Sequence, residues 1–194
     1  GPAEAESVLR ETRRRADWVL VAVHWSDELF PYPRPEDRAA GRALARMGAD
    51  LVIGHHPHVV RGMEMFGACP VFYSLGNLYF SDITDGKEDD LRQAPRNREG
   101  LGVLLSFRQG SRPEFRVLSF WQEAAHITLD PRHRAARRLA LTSRPLQRFQ
   151  DAAYSHWHAA ERARFDRWGI RWHFRIHQLG IRGAIQRLWR RGAA

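Results

Sequence analysis

Cysteine is almost absent: Cys69 is the only one in 194 residues. An internal disulfide is therefore excluded, and cysteine usage leaves the compartment open. Lysine is equally scarce. Lys87 is the only one, and every other basic side chain is arginine, which reads as a base-composition bias of the source rather than as chemistry. No apolar run reaches the roughly 18 residues that a membrane-spanning helix needs. No signal-peptide pattern, internal repeat or low-complexity segment is visible. The chain opens Gly1-Pro2 with no Met, so it reads as a processed or partial product.

What is present is charge of one sign in one place. The net charge is +9. Residues 132–194 hold 15 Arg against Asp151, Glu161 and Asp166, so residues 1–131 are slightly acidic. The asymmetry predicts a body over residues 1–131 and a basic tail over 132–194. A hydrophobic fraction of 43% supports a real core in the body.

The most informative stretch is Leu51-Val52-Ile53-Gly54-His55-His56-Pro57-His58-Val59-Val60. A short run rich in Val and Ile predicts a buried strand. Gly54 and Pro57 then stop it. Three imidazoles thus stand at the C-terminal end of a strand, where open α/β sheets place their ligands. Neutral imidazole suits zinc, iron and similar metals. Pro57 is expected to hold His56 extended. In an extended chain His55 and His56 point opposite ways, so His56 and His58 are the candidate ligands and His55 the weakest of the three.

Earlier in the chain, residues 3–15 predict a largely solvated helix. Trp18 to Val23 predicts a second buried strand, and it too ends on a histidine, His24. Glu28 could orient His24 through its other ring nitrogen, or be an exposed loop acid. Pro31, Pro33 and Pro35 mark a stiff loop. Pro35, Glu36 and Asp37 then start a helix, whose apolar face is read as Ala39, Ala40, Ala43, Leu44 and Met47, closed by Gly48. Strand, helix, strand makes a right-handed βαβ unit with parallel strands. Both strands deliver histidines to one edge, which joins His24 to His56 and His58.

Strands are expected over 61–66, 70–73 and 78–80, with a turn at Gly67-Ala68 and a break at Gly76-Asn77. Residues 82–99 read as a charged surface loop. Its four acids in 85–90 lack the spacing of a calcium-binding EF-hand. Residues 102–107 and 115–121 predict an antiparallel hairpin. A short basic helix follows from Arg132, interrupted at Pro145. A helix over 146–168 is expected to carry Phe149, Ala153, Trp157, Ala160 and Arg164 on one stripe, closed by Gly169. His156 and His158 lie on different faces of it and are not read as ligands. Residues 170–191 read as an amphipathic basic helix, packed on the body or contacting a membrane surface or anionic polymer.

Three motifs, in order, carry a family resemblance: Val23-His24-Trp25-x-x-Glu28; Gly48 through Val60 followed by Glu64; and Phe72-Tyr73-Ser74-Leu75-Gly76-Asn77-Leu78-x-Phe80. Over roughly residues 17–121 they resemble the C-terminal half of the CapA family of poly-γ-glutamate capsule biosynthesis proteins. Ser26 and Leu29 depart from the usual family residues. The resemblance implies a partial calcineurin-like α/β/β/α sandwich, a parallel βαβ unit followed by antiparallel strands, with a basic helical appendage. It also implies a metallophosphoesterase-type hydrolase at the cell envelope, using two divalent ions (Mn, Fe or Zn) in a complete site. His24 and His56 would ligate one ion and His58 the other. Glu28, His55, Glu64 and Asn77 would stand behind them or meet substrate.

The family's first-half carboxylate and Asn-His motifs are missing from this sequence. The missing half or a capsule synthesis complex is therefore an expected partner. Two other functions are weighed: a non-catalytic scaffold of a surface-polymer complex, and an anionic polymer or membrane contact through the tail. Nucleic acid is disfavoured, because the tail has no reader motif.

Overall fold

A computed structural model describes residues 2–25, 27–82, 93–108 and 113–168. The segment over 170–191, Gly169 and most of the charged loop lie outside these residues. Helix α1 (Pro2–Arg13) leads to strand β1 (Leu20–His24), helix α2 (Pro35–Arg46) and strand β2 (Leu51–His55). Strands β3 (Met63–Phe66) and β4 (Cys69–Phe72) follow, then β5 (Glu99–Ser106), β6 (Glu114–Glu123) and β7 (His126–Leu129). Helices α3 (Arg134–Arg148) and α4 (Asp151–Trp168) end the described chain.

The elements build two sheets. The first has the order β1-β2-β4-β3, with β1, β2 and β4 parallel and β3 antiparallel to β4. The second is the antiparallel meander β5-β6-β7. The fold is thus mixed α/β, as the βαβ-then-hairpin reading expects. Leu51 and Phe72 of the first sheet meet Leu101, Val103, Phe115 and Val117 of the second, and Ala135 and Leu139 of α3 close this core. On the other face, Val52, Val71 and Tyr73 pack against Leu44 of α2 and Leu146, Tyr154 and Trp157 near and on α4. Gly54 sits where this packing leaves no room for a side chain. A Cβ there would lie 2.1 Å from the Trp25 indole nitrogen and 2.4 Å from the Tyr73 carbonyl oxygen.

Several local expectations are corrected. Strand β1 is not buried: it forms an edge of the first sheet among the described residues, and Leu20 is 47% exposed. The inward side of α2 is Asp37, Arg38 and Gly41, while Ala39 and Ala40 face solvent. Of the expected apolar face Leu44 packs on the core, while an ion network takes the place of Ala39 and Ala40. Residues 78–80 form no strand. The Gln122 side chain instead bonds both backbone groups of Phe80, accepting from its N–H at 2.9 Å and donating to its carbonyl at 2.8 Å. One buried amide takes the place of a ladder partner. Strand β7 adds a third strand to the expected hairpin; His126-Ile127-Thr128-Leu129 alternates polar and apolar residues, but all four are exposed.

Pro145 does not interrupt the helix but lies inside the last turn of α3, whose break falls at extended Phe149. On α4 the inward stripe is Tyr154 and His158, flanked by Trp157, Arg162 and Phe165. The Tyr154 hydroxyl donates to the Pro33 carbonyl at 2.7 Å and sets this rotation.

Within the described residues, the helices after residue 131 make contact with the body. Basic side chains on these helices pair with acids of the body: Arg138 with Glu99, and Arg162 with Asp27. The charge asymmetry is thus partly neutralised across this contact.

Candidate metal centre

Strands β1 and β2 run parallel in register, with His24 opposite His55. The two chains leave the sheet side by side, and their loops hold the site. Backbone bonds stitch them together. Trp25 N–H donates to the His55 carbonyl at 3.1 Å, and Leu29 N–H to the Pro57 carbonyl at 2.8 Å. The backbone here is unusual. Leu29, His56 and His58 have φ of 60°, 89° and 57°, a region that non-glycine residues rarely enter. The expectation that Pro57 holds His56 extended is therefore wrong. The reversal at His56 lets its ring turn to the same side as those of His24 and His58.

The rings of His24 and His56 lie 4.4 Å apart between centroids, and those of His56 and His58 5.6 Å. Three imidazoles thus converge, as the parallel-strand argument requires. Among the described residues, the donor atoms close enough to share one ion come from a different set, however. Glu28, His56 and His58 each offer one such atom, and these lie within 4.8 Å of one another. Glu28 stands 3.7 Å from His56 Nε2. It faces His56 rather than serving as the partner of His24. His24 is one ring further out, and His55 lies at the surface beside it. Crowding partly desolvates His55, and the His24 charge opposes its protonation, so it titrates below the ordinary imidazole value.

Asn77 has a defined part. Its Nδ2 donates to the Asn97 carbonyl at 3.0 Å, and its Oδ1 lies 2.9 Å from His58 Nδ1. With the amide held this way round, Oδ1 can only accept, so His58 Nδ1 carries the proton. His58 Nε2 is left as the free lone pair. This is the usual way an outer amide or carboxylate fixes the tautomer of a ligating histidine. Asn97, in a short 3₁₀ helix at Pro95–Arg98, carried no sequence signal because only its carbonyl is used. Phe80 packs edge-on to the His58 ring at 5.0 Å.

Glu64 lies elsewhere. It is 7% exposed and accepts from Arg42 at 2.7 Å and 3.0 Å, from Arg38 at 3.4 Å and from the Tyr73 hydroxyl at 2.6 Å. Burial first, and the Glu64 charge second, push the Tyr73 hydroxyl strongly upward. The hydrogen bond with Glu64 raises Arg42. The expectation that Glu64 supports the metal or meets substrate is corrected: it is the centre of a closed ion network between α2 and β3.

The donor set fits a divalent ion. Two neutral imidazoles and one carboxylate are the ligand types of zinc sites that keep a position open for chemistry. Glu28 is 59% exposed and His56 22% exposed at the side chain, so the centre is reached from solvent.

Residues 2–82 match the family model described as bacterial capsule synthesis protein PGA_cap. The chain is 35% identical over 105 residues to the PGA biosynthesis protein CapA of Bacillus subtilis, covering 52% of this chain and 28% of that protein. It is 36% identical over 101 residues to the capsule biosynthesis protein CapA of Bacillus anthracis, covering 50% and 25%. The matched stretch thus spans about a quarter of the length of these relatives.

Proposed function

The chain belongs to the bacterial capsule synthesis family through residues 2–82, and from that premise we propose that it carries part of a divalent-metal-dependent, phosphoesterase-like hydrolase domain acting in poly-γ-glutamate capsule biosynthesis. The observation that carries the proposal is the meeting of Glu28, His56 and His58 donor atoms within 4.8 Å at the solvent edge of a parallel sheet. Glu28, His56 and His58 would hold one ion. When bound, such an ion supplies Lewis-acid chemistry to a phosphoryl or carbonyl oxygen.

The chain's own residues supply the geometry. Asn77 accepts from His58 Nδ1, which orients the ring and makes Nε2 the nitrogen that the neutral imidazole offers to an ion. The reversed backbone at His56 brings its ring out of the strand direction. His24, on the open side, is the next ligand of a two-ion centre, and its remaining carboxylates come in this proposal from sequence outside these 194 residues. The relatives' greater length supports that reading.

The test is hydrolysis of a chromogenic phosphodiester by the chain with added Mn²⁺ or Zn²⁺, alone and joined to the preceding part of its gene product. Metal-dependent turnover that Glu28→Gln abolishes is expected. Metal-independent turnover, or none in either form, would overturn the hydrolase reading.

A further inference from the structure

We infer that Arg61 and Arg162 are positioning residues that brace the loop carrying Glu28, so that helix α4 controls the candidate metal centre through that loop. The metal-affinity part of this inference rests on the proposed function; the bracing itself does not.

The loop needs a brace because its conformation is strained. Phe30 N–H donates to the Glu28 carbonyl at 2.7 Å, closing a three-residue turn around Leu29 at φ 60°. Turns of this positive-φ kind are rare and unfavourable on their own. Strained backbone persists only where its surroundings over-determine it. Two guanidinium groups do so here.

Arg61 is fully buried and donates from Nη2 to the Asp27 carbonyl at 2.9 Å and from Nε to the Phe30 carbonyl at 3.0 Å. One planar fork thus holds both sides of the turn. Its charge is balanced by Asp37, 3.6 Å away. Burial pushes Arg61 down to about 10, so it stays charged at neutral pH.

Arg162, on α4, reaches the same loop from the other side. Its Nη1 donates to Asp27 Oδ2 at 2.7 Å, and its guanidinium lies 5.2 Å from the Phe30 ring centre. His158, one turn earlier, meets Phe30 edge-on at 5.2 Å. Its Nε2 is buried with no hydrogen-bond partner among the described residues, and the ring packs on Phe30. The braced loop joins the histidine loop through the Leu29 to Pro57 bond. Movement of α4 therefore reaches Glu28, which directly follows the residue that Arg162 grips.

The experiment measures Zn²⁺ binding by calorimetry and backbone amide exchange by NMR on the 194-residue protein. The variants are Arg162→Ala, Arg162→Lys, Arg61→Met, Glu28→Gln and the double variant Arg162→Ala with Glu28→Gln. Arg162→Ala should weaken Zn²⁺ affinity about tenfold, the scale of losing an outer partner of a metal ligand. It should speed exchange at the Leu29 amide and leave the Val52 and Phe72 amides unchanged. Arg162→Lys should restore part of both. On the Glu28→Gln background the same change should cost no further affinity.

An equal loss on that background would mean that Arg162 acts through general stability, and the inference would fall. Unchanged Leu29 exchange would also overturn it. If the wild-type protein binds no Zn²⁺, the functional reading fails, and the Leu29 amide still decides the brace. Arg61→Met should give a larger effect than Arg162→Ala; should it not fold, the Arg162 pair decides alone.

Discussion

Two polar clusters flank the first sheet, and they differ in what they leave unused. The Glu64 cluster is closed: its carboxylate is surrounded by Arg38, Arg42 and the Tyr73 hydroxyl and is shut from solvent. The histidine cluster is open. His58 spends one ring nitrogen on Asn77 and keeps the other free, while Glu28 stays largely exposed. Both contain a family-motif glutamate, so residue type alone does not separate them. Spare donor atoms at a solvent edge mark a place built to receive something, whereas a saturated buried network marks a place that holds the fold.

The contrast breaks most sharply at Glu64. Glu64→Ala removes the buried carboxylate that Arg38 and Arg42 share and leaves them only the exposed Asp151, 3.5 Å from Arg38, and removing one partner of a buried ion pair costs about 3–5 kcal/mol. Urea denaturation should show that loss, with Zn²⁺ affinity of the folded protein unchanged. A normal unfolding midpoint would erase the distinction. At the other cluster His58→Ala should do the reverse. Zn²⁺ affinity should fall by more than the roughly 10–100-fold typical of losing an outer partner, with stability within about 1 kcal/mol of wild type. Equal calorimetric titrations of variant and parent would remove His58 from the centre.

Asn77→Ala sharpens the comparison from the supporting side. About tenfold weaker Zn²⁺ binding is expected, because His58 loses the acceptor that fixes its tautomer. Wild-type affinity would show that the tautomer is set some other way.

The smallest effect belongs to Asp130, a satisfied carboxylate remote from both clusters. Its burial would raise its pKa, but the N–H groups of Arg134 and Arg132, at 2.8 Å and 3.0 Å, outweigh this and hold it below the ordinary carboxyl value. A depressed carboxylate stabilises the fold above its unfolded value, and that contribution is lost as pH falls through the lower folded value. Asp130→Asn should therefore cost about 1 kcal/mol near neutrality, and the gap to wild type should shrink as pH drops below about 4. A gap that is constant with pH would mean that the carboxylate charge contributes nothing.

Much of the fold was legible because it is local. The apolar runs ending in His24 and His55, the Pro35 helix start and the Gly67 turn each announce themselves within a few residues. The convergence of histidines followed from one topological rule, that a βαβ crossover makes its strands parallel. What stayed hidden depends on distant partners. Nothing near Glu28 says that it turns to His56, because the turn is held by Arg61 and Arg162, 33 and 134 positions away by their numbering. The positive φ of His56 opposes the usual preference before proline. Residues 78–80 have a strand's composition, yet a side chain 42 positions on, Gln122, takes their backbone bonds. Asn97 acts through its carbonyl, which every residue has.

The most direct test is anomalous scattering from a crystal of this protein soaked with Zn²⁺. A single strong peak is expected within about 2.0–2.2 Å of His56 and His58 imidazole nitrogens and a Glu28 oxygen, with His58 bound through Nε2. A peak held instead by His24 and His55, or no peak at the ends of β1 and β2, would contradict it.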